Sequence, residues 1–224
     1  MDWFATIDAY CERTDASFWS EPVNAVSNAA FVLAAAFVGV AIARGARHGT
    51  TQSAFAALVC VIGVGSFLFH TFATRWASLA DVLPITLFIF AYFAVALSRF
   101  VGLGWMGTLV GTALFFGASL IVESLFAPLA GSSAAYLPAL FAMLAIGIHL
   151  LARSHPAGPA ILLAGAVFAV SLTLRSLDGP LCGVWPVGTH FLWHVLNAVT
   201  LAILVLALGR GPRDDGHYTR ERPL

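Results

Sequence analysis

Apolar residues fall in long runs along this chain, and each run is punctuated by a short polar break. Seven runs can be marked, over residues 22–43, 53–72, 79–97, 105–126, 134–151, 159–174 and 189–208. A stretch of about 18 or more apolar residues with few charges is long enough to cross a bilayer core as a helix. The sixth run is the shortest. The breaks carry Gly, Pro, Ser and Arg, as in Arg44 to Arg47, Arg153 to Pro156 and Asp178 to Pro180, and read as turns between helices. The pattern predicts an all-α, polytopic, seven-transmembrane helix bundle over residues 22–208. A segment of residues 1–21 precedes it, and a tail of residues 209–224, expected to be disordered, follows.

Composition sharpens this picture. Hydrophobic residues make up 60% of the 224 and charged residues 10%, against roughly a quarter charged in a soluble domain. A water-soluble fold is excluded. All eleven basic residues are arginine, and without a lysine no Schiff-base chemistry, such as retinal binding, is open to the chain. Formal charge is zero and no basic groove is suggested, so nucleic acid is not an expected partner. Residues 1–10 are acidic and lack the basic start of a signal peptide, so the first apolar run is expected to remain in the mature chain. With seven spans, Arg44, Arg47, Arg99, Arg153 and tail arginines 210, 213, 220 and 222 share one side. Arg13, Arg75 and Arg175 lie on the other. Positive charge gathers in cytoplasmic loops, which predicts an N-terminus outside and a cytoplasmic C-terminus. The reliance on arginine and the alanine-rich spans point to a GC-rich bacterial source, and hence to the inner membrane.

Ionisable groups inside a span are costly and mark function. His70 closes the second run, Asp81 opens the third, and His190 and His194 open the seventh, all at the predicted outer face. Ser66 and His70 are four residues apart, as are His190 and His194, so each pair shares one helix face about one turn apart. Three neutral imidazoles from two helices would leave a fourth position of a zinc ion open, the arrangement of a catalytic zinc. Asp81 would then orient a ligand or accept a proton, and the Ser66 hydroxyl would meet a developing oxyanion. A buried histidine can instead serve only as a helix-helix hydrogen-bonding residue. His48, His149, His155 and His217 stand apart and read as structural or solvated. Glu123, near the outer end of the fourth run, either lines the same cavity or bonds a neighbouring helix.

The segment before the first span holds Asp2, Asp8, Glu12, Asp15 and Glu21, and Asn24 and Asn28 follow it. Such oxygen-rich clusters suit calcium; alternatively the segment is merely acidic, with Glu21 favoured at a helix N-terminus. Cys60 lies within the second run as packing. Cys11 and Cys182 both fall outside, where disulfides persist, and a bridge between them would tie the N-terminal segment to the loop before the last helix.

Cys11-Glu12, Glu21-Pro-Val-Asn24, Ser27-Asn28, Gly65 to His70 with Asp81, Leu177-Asp178 with Cys182, and Gly188 to His194 together resemble the alkaline ceramidase family, within the superfamily of adiponectin-receptor-type proteins. The resemblance implies a seven-helix zinc amidase that cleaves ceramide-like lipids to a sphingoid base and a fatty acid. It places zinc on His70, His190 and His194, supporting catalytic roles on Ser66 and Asp81, and a disulfide on Cys11 and Cys182. Its calcium site maps cleanly only to Glu12 and Glu21. Ala9 and Tyr10 stand where the family has an aspartate and a tryptophan, so any further oxygens would come from Asp8, Asp15 or Asn24. The expected partner is a membrane lipid, ceramide or another N-acyl lipid. The alternative is a seven-helix lipid receptor with a structural zinc; a transporter is disfavoured because no polar line reaches the inner face.

Overall fold

A computed structural model of the chain describes residues 2–45 and 49–210. Arg47, His48, His217, arginines 213, 220 and 222, and the tail from residue 211 lie outside the described residues. Among those described, the elements are α1 (Pro22–Ser27), α2 (Ala29–Arg44), α3 (Thr50–Phe72), α4 (Arg75–Ala96), α5 (Trp105–Ala130), α6 (Leu137–Ala152), α7 (Gly158–Leu181) and α8 (His190–Ala207). A π-turn (Leu97–Val101) extends α4, and 3-10 turns join α5 to α6 (Gly131–Tyr136) and close the described chain (Leu208–Arg210). No β-strand is present among the described residues, and the single bridge pairs Thr6 with Thr74.

Six helical stretches are long and apolar enough to cross a membrane: Pro22–Arg44, Thr50–Phe72, Arg75–Val101, Trp105–Ala152, Gly158–Leu181 and His190–Arg210. The fourth and fifth predicted runs share the fourth of these. Gly131, with φ of +54°, ends α5, and the 3-10 turn leads into α6. The 16 residues of α6 reach about 24 Å, short of a hydrocarbon core of about 30 Å. The sixth run, expected to be the shortest, is instead the 24-residue α7. Its sequence boundary stopped at Arg175 and Asp178, whose polarity suggests a loop. Both remain helical because both are partnered: Arg175 Nη1 donates to the hydroxyls of Ser132 and Ser133 at 2.9 Å each, and Asp178 takes up the N–H groups that open α8.

The bundle is built around α8 and α3. Over their apolar windows 61% of α8 and 56% of α3 are buried, against 17% of the α4 stretch, and α5 has no buried residue at all. The outer helices thus present Leu and Phe to lipid, while the central pair carries the buried polar groups. Small residues let the centre close. A Cβ on Gly63 would stand 2.7 Å from Phe31 Cβ. A Cβ on Gly65 would overlap the Ala80 carbonyl, so α3 and α4 touch backbone to backbone beside Ser66 and Asp81.

Residues 2–21 lie across one end of this bundle. Ile7 N–H donates to Ala73 O at 2.7 Å, Arg75 N–H to Ala5 O at 3.2 Å and Trp76 N–H to Trp3 O at 3.1 Å, which ties the segment to the α3-α4 junction. Cys11 and Cys182 are joined by a disulfide with Cα atoms 5.2 Å apart, tying it also to the end of α7. The bridge expected from the sequence is present.

Candidate metal centre

His70 sits in the last turn of α3, and His190 and His194 lie one turn apart in the first turns of α8. The three are buried, at 1%, 2% and 1% exposure. One ring nitrogen from each lies within 4.8 Å of the others. Among the described residues this is the one group of three or more His, Cys, Asp or Glu side chains able to hold a metal ion.

Two of the three imidazoles are held from behind. His70 Nδ1 bonds Glu21 Oε2 at 2.6 Å, and His194 Nδ1 bonds Ser27 Oγ at 2.7 Å. Ser27 in turn donates to Asn24 O at 2.8 Å. His70 Nε2, His194 Nε2 and His190 Nδ1 are buried and have no hydrogen-bond partner. Buried polar nitrogens left unpaired are destabilising by about 1–3 kcal/mol each, and a metal ion held by the group would relieve that cost. Three imidazoles are a donor set compatible with zinc.

The α8 end is set by Asp178. Its Oδ1 accepts from the N–H of Thr189 at 2.7 Å and of His190 at 2.9 Å, and its Oδ2 accepts from Cys11 N–H at 3.0 Å. This carboxylate therefore fixes the first turn carrying His190 and joins it to the N-terminal segment. Gly188, at φ +68°, leaves the room: a Cβ there would overlap the Asp178 carboxylate and meet Cys11 Cβ at 2.8 Å. Tyr10 covers the centre, its ring stacked on His190 with centroids 3.6 Å apart and 5.2 Å from His70. Burial pushes its phenol well above the ordinary range, so it is a neutral group.

Ser66, one turn before His70, is buried at 4% exposure, and the close α3-α4 approach puts Asp81 beside it. Asp81 Oδ1 is buried without a partner. The five sequence-selected residues are therefore gathered at one end of the bundle. Glu123 is not among them: it is exposed on the outer helix α5. His149 lies in α6, and His155 accepts from Ala157 N–H at 3.1 Å in the α6-α7 turn.

The acids proposed for calcium do not form a free ligand shell. Glu12 accepts the N–H groups of Val23 at 2.7 Å and Asn24 at 2.8 Å, so it, rather than Glu21, serves the start of α1. Asp15 accepts from Ser17 N–H at 2.8 Å in its own turn, which lowers its pKa below the usual carboxylate value. Asp8 is exposed. Asn24 is buried and donates to Glu21 Oε2 at 3.1 Å. Burial would raise the Glu21 carboxyl, but the hydrogen bonds and charge of His70 and Arg13 outweigh it and hold the group below its ordinary value.

Tyr10, Arg13, Ser27 and Asp178 were given no role by the sequence. Ser27 and Asp178 belong to the motifs themselves, and Tyr10 and Arg13 stand within two residues of Cys11. Nothing local shows that they converge.

A family model for ceramidase matches residues 5–210. The chain belongs to the ceramidase family. The match takes in the N-terminal segment and every helix described above, so the ceramidase frame covers the capping segment as well as the bundle. Membership in the ceramidase family makes the chain a hydrolase, with ceramide hydrolysis as the general reaction and a lipid as substrate. No curated relative matches it.

Proposed function

We propose that this ceramidase is a zinc-dependent intramembrane amidase that hydrolyses the N-acyl bond of ceramide-like lipids to a sphingoid base and a fatty acid. The observation that carries the reading is the set of three buried, unpartnered imidazole nitrogens, backed by Glu21 and Ser27. Zinc held by His70, His190 and His194 would supply a Lewis acid for the amide carbonyl and bring the pKa of a water toward about 7. Asp81, with its free buried oxygen, takes the proton of the attacking water and delivers it to the amide nitrogen as the C–N bond breaks, leaving a carboxylic acid and an amine. The Ser66 hydroxyl donates to the oxyanion that forms on the carbonyl oxygen. Tyr10 and the N-terminal segment screen the histidines from bulk water.

An apolar cavity supports the lipid assignment. Ile62 lies one turn before Ser66 on α3, and Asn197 follows His194 by three residues on α8, so the cavity lining starts on the helices that carry the centre. Phe88, Met143 and Phe168 continue it, and Tyr92 bonds Leu204 O at 2.9 Å at the far side. An acyl chain laid there would have its amide end toward Ser66 and the histidines.

For the membrane we propose seven crossings, with α6 the short one, the N-terminus and active site toward the outer face, and a bacterial inner membrane as the location. Purified protein in detergent, given N-acyl sphingoid lipids, is expected to release fatty acid and amine one for one by mass spectrometry. Asp81→Asn should slow release by about 10²- to 10⁴-fold. Lipid that is bound with zinc in place and never cleaved would favour a receptor instead.

A further inference from the structure

The calcium site implied by the resemblance is replaced here by a side chain. Arg13 is buried at 8% exposure. Its guanidinium Nε donates to Glu21 Oε1 at 2.5 Å, Nη1 to Asp15 O at 3.0 Å and Nη2 to His70 O at 3.1 Å. A carboxylate and two carbonyls are the oxygen types a hard cation gathers, and here one guanidinium takes all three. What remains is too little for calcium, which binds 6–8 oxygens. Glu12 is engaged on α1, Glu21 Oε2 is engaged by His70 and Asn24, and only the neutral Asn24 Oδ1 and Asn28 Oδ1 stay buried without partners. The charge also closes: Arg13 and Glu21 form a buried pair, and a divalent cation that took Glu21 as a ligand would leave the guanidinium uncompensated. Removing one partner of such a pair leaves a buried charge, which is strongly unfavourable.

We infer that Arg13 is a built-in cation standing in for calcium, and that it positions His70 for its metal: it holds Glu21 in place to accept from His70 Nδ1–H and grips the His70 carbonyl. The inference rests on the reading of the histidine group as a zinc site, but only in part, because calcium binding can be tested without zinc. Full-length protein in detergent would be assayed for calcium by thermal shift and isothermal titration at about 2 mM Ca²⁺, above the usual range of weak sites. Wild-type protein is expected to bind none and to keep its melting temperature; saturable binding or a calcium-dependent rise would overturn the inference. Zinc affinity would then be measured by chelator competition in wild type, Arg13→Gln, Glu21→Gln and the double variant. Arg13→Gln should lower it by roughly 10- to 100-fold, as for other groups that orient ligands. In the Glu21→Gln background the same change should cost less than about threefold, because the pair acts as one unit. An unchanged affinity in Arg13→Gln, or an equal loss in both backgrounds, would overturn the positioning role. Wild type that holds no zinc would instead sink the metal-centre reading, with the calcium measurement still deciding the substitution of Arg13 for the ion.

Discussion

Gly65→Ala should separate the chemistry of this protein from its metal. The added Cβ would overlap the Ala80 carbonyl oxygen and stand 2.8 Å from its carbon and 3.3 Å from Asp81 Cα. Carbon atoms in contact prefer about 3.5–4.0 Å, so the α3 and α4 backbones must part by about 1 Å, and neither can yield as a flexible side chain would. Overpacking of this kind destabilises by about 1–3 kcal/mol. The larger effect is on geometry: Ser66 rides on α3 and Asp81 on α4, and misplacement by about 1 Å can reduce a rate by about 10²-fold. The histidines lie beyond the contact, and their backing by Glu21 and Ser27 does not pass through α4. Lipid hydrolysis should therefore fall by about two orders of magnitude in Gly65→Ala while zinc content by mass spectrometry stays at the wild-type level. Gly39→Ala, where the new Cβ meets nothing within 4 Å, serves as the neutral control. Full activity in Gly65→Ala, or parallel loss of zinc and activity, would refute the claim that this helix contact aligns Ser66 with Asp81.

Three further outcomes are expected. Ser27→Ala leaves His194 Nδ1 without its hydroxyl partner, and chelator competition should show zinc affinity lower by about tenfold. Asp178→Ala strips the acceptor from the N–H groups of Cys11, Thr189 and His190; at about 1–3 kcal/mol for each buried orphan, a fall in melting temperature of many degrees should accompany loss of zinc. Cys11→Ser opens a covalent loop with a sequence separation of 171 and should lower stability by about 2–5 kcal/mol, measured by denaturation with and without reductant. No change under reduction would mean that the N-terminal segment is held by its hydrogen bonds alone.

The helices were legible because a bilayer-spanning segment must satisfy its own backbone and show apolar side chains to lipid, which leaves an unmistakable run of such residues. The histidines were legible because charge or polarity inside such a run stands out, and a four-residue spacing places His190 and His194 on one face. The same logic failed where polarity was paired. Arg175 and Asp178 looked like the end of a helix, yet each has partners and α7 runs through them. It failed again in residues 2–21, where nothing periodic distinguishes a solvated acid from one turned inward. For Glu21 the sequence offers a calcium ligand or a charge at a helix N-terminus, but its carboxylate reaches His70, and Glu12 serves the helix end. Arg13 looked like any loop arginine. Its role depends on a path over the bundle fixed by Ala73, Asp178 and the disulfide, partners that lie 60 or more positions away along the chain.

His70, His190 and His194 are proposed to hold a catalytic zinc. Zinc-edge X-ray absorption on the purified protein, with metal content determined on the same sample, tests it most directly. The expected result is one zinc per chain with three histidine nitrogens at about 2.0–2.1 Å and an oxygen in the remaining position, and loss of both the signal and lipid hydrolysis in His190→Ala and His194→Ala. Hydrolysis that persists in both variants, or a zinc whose shell lacks histidine, would contradict it.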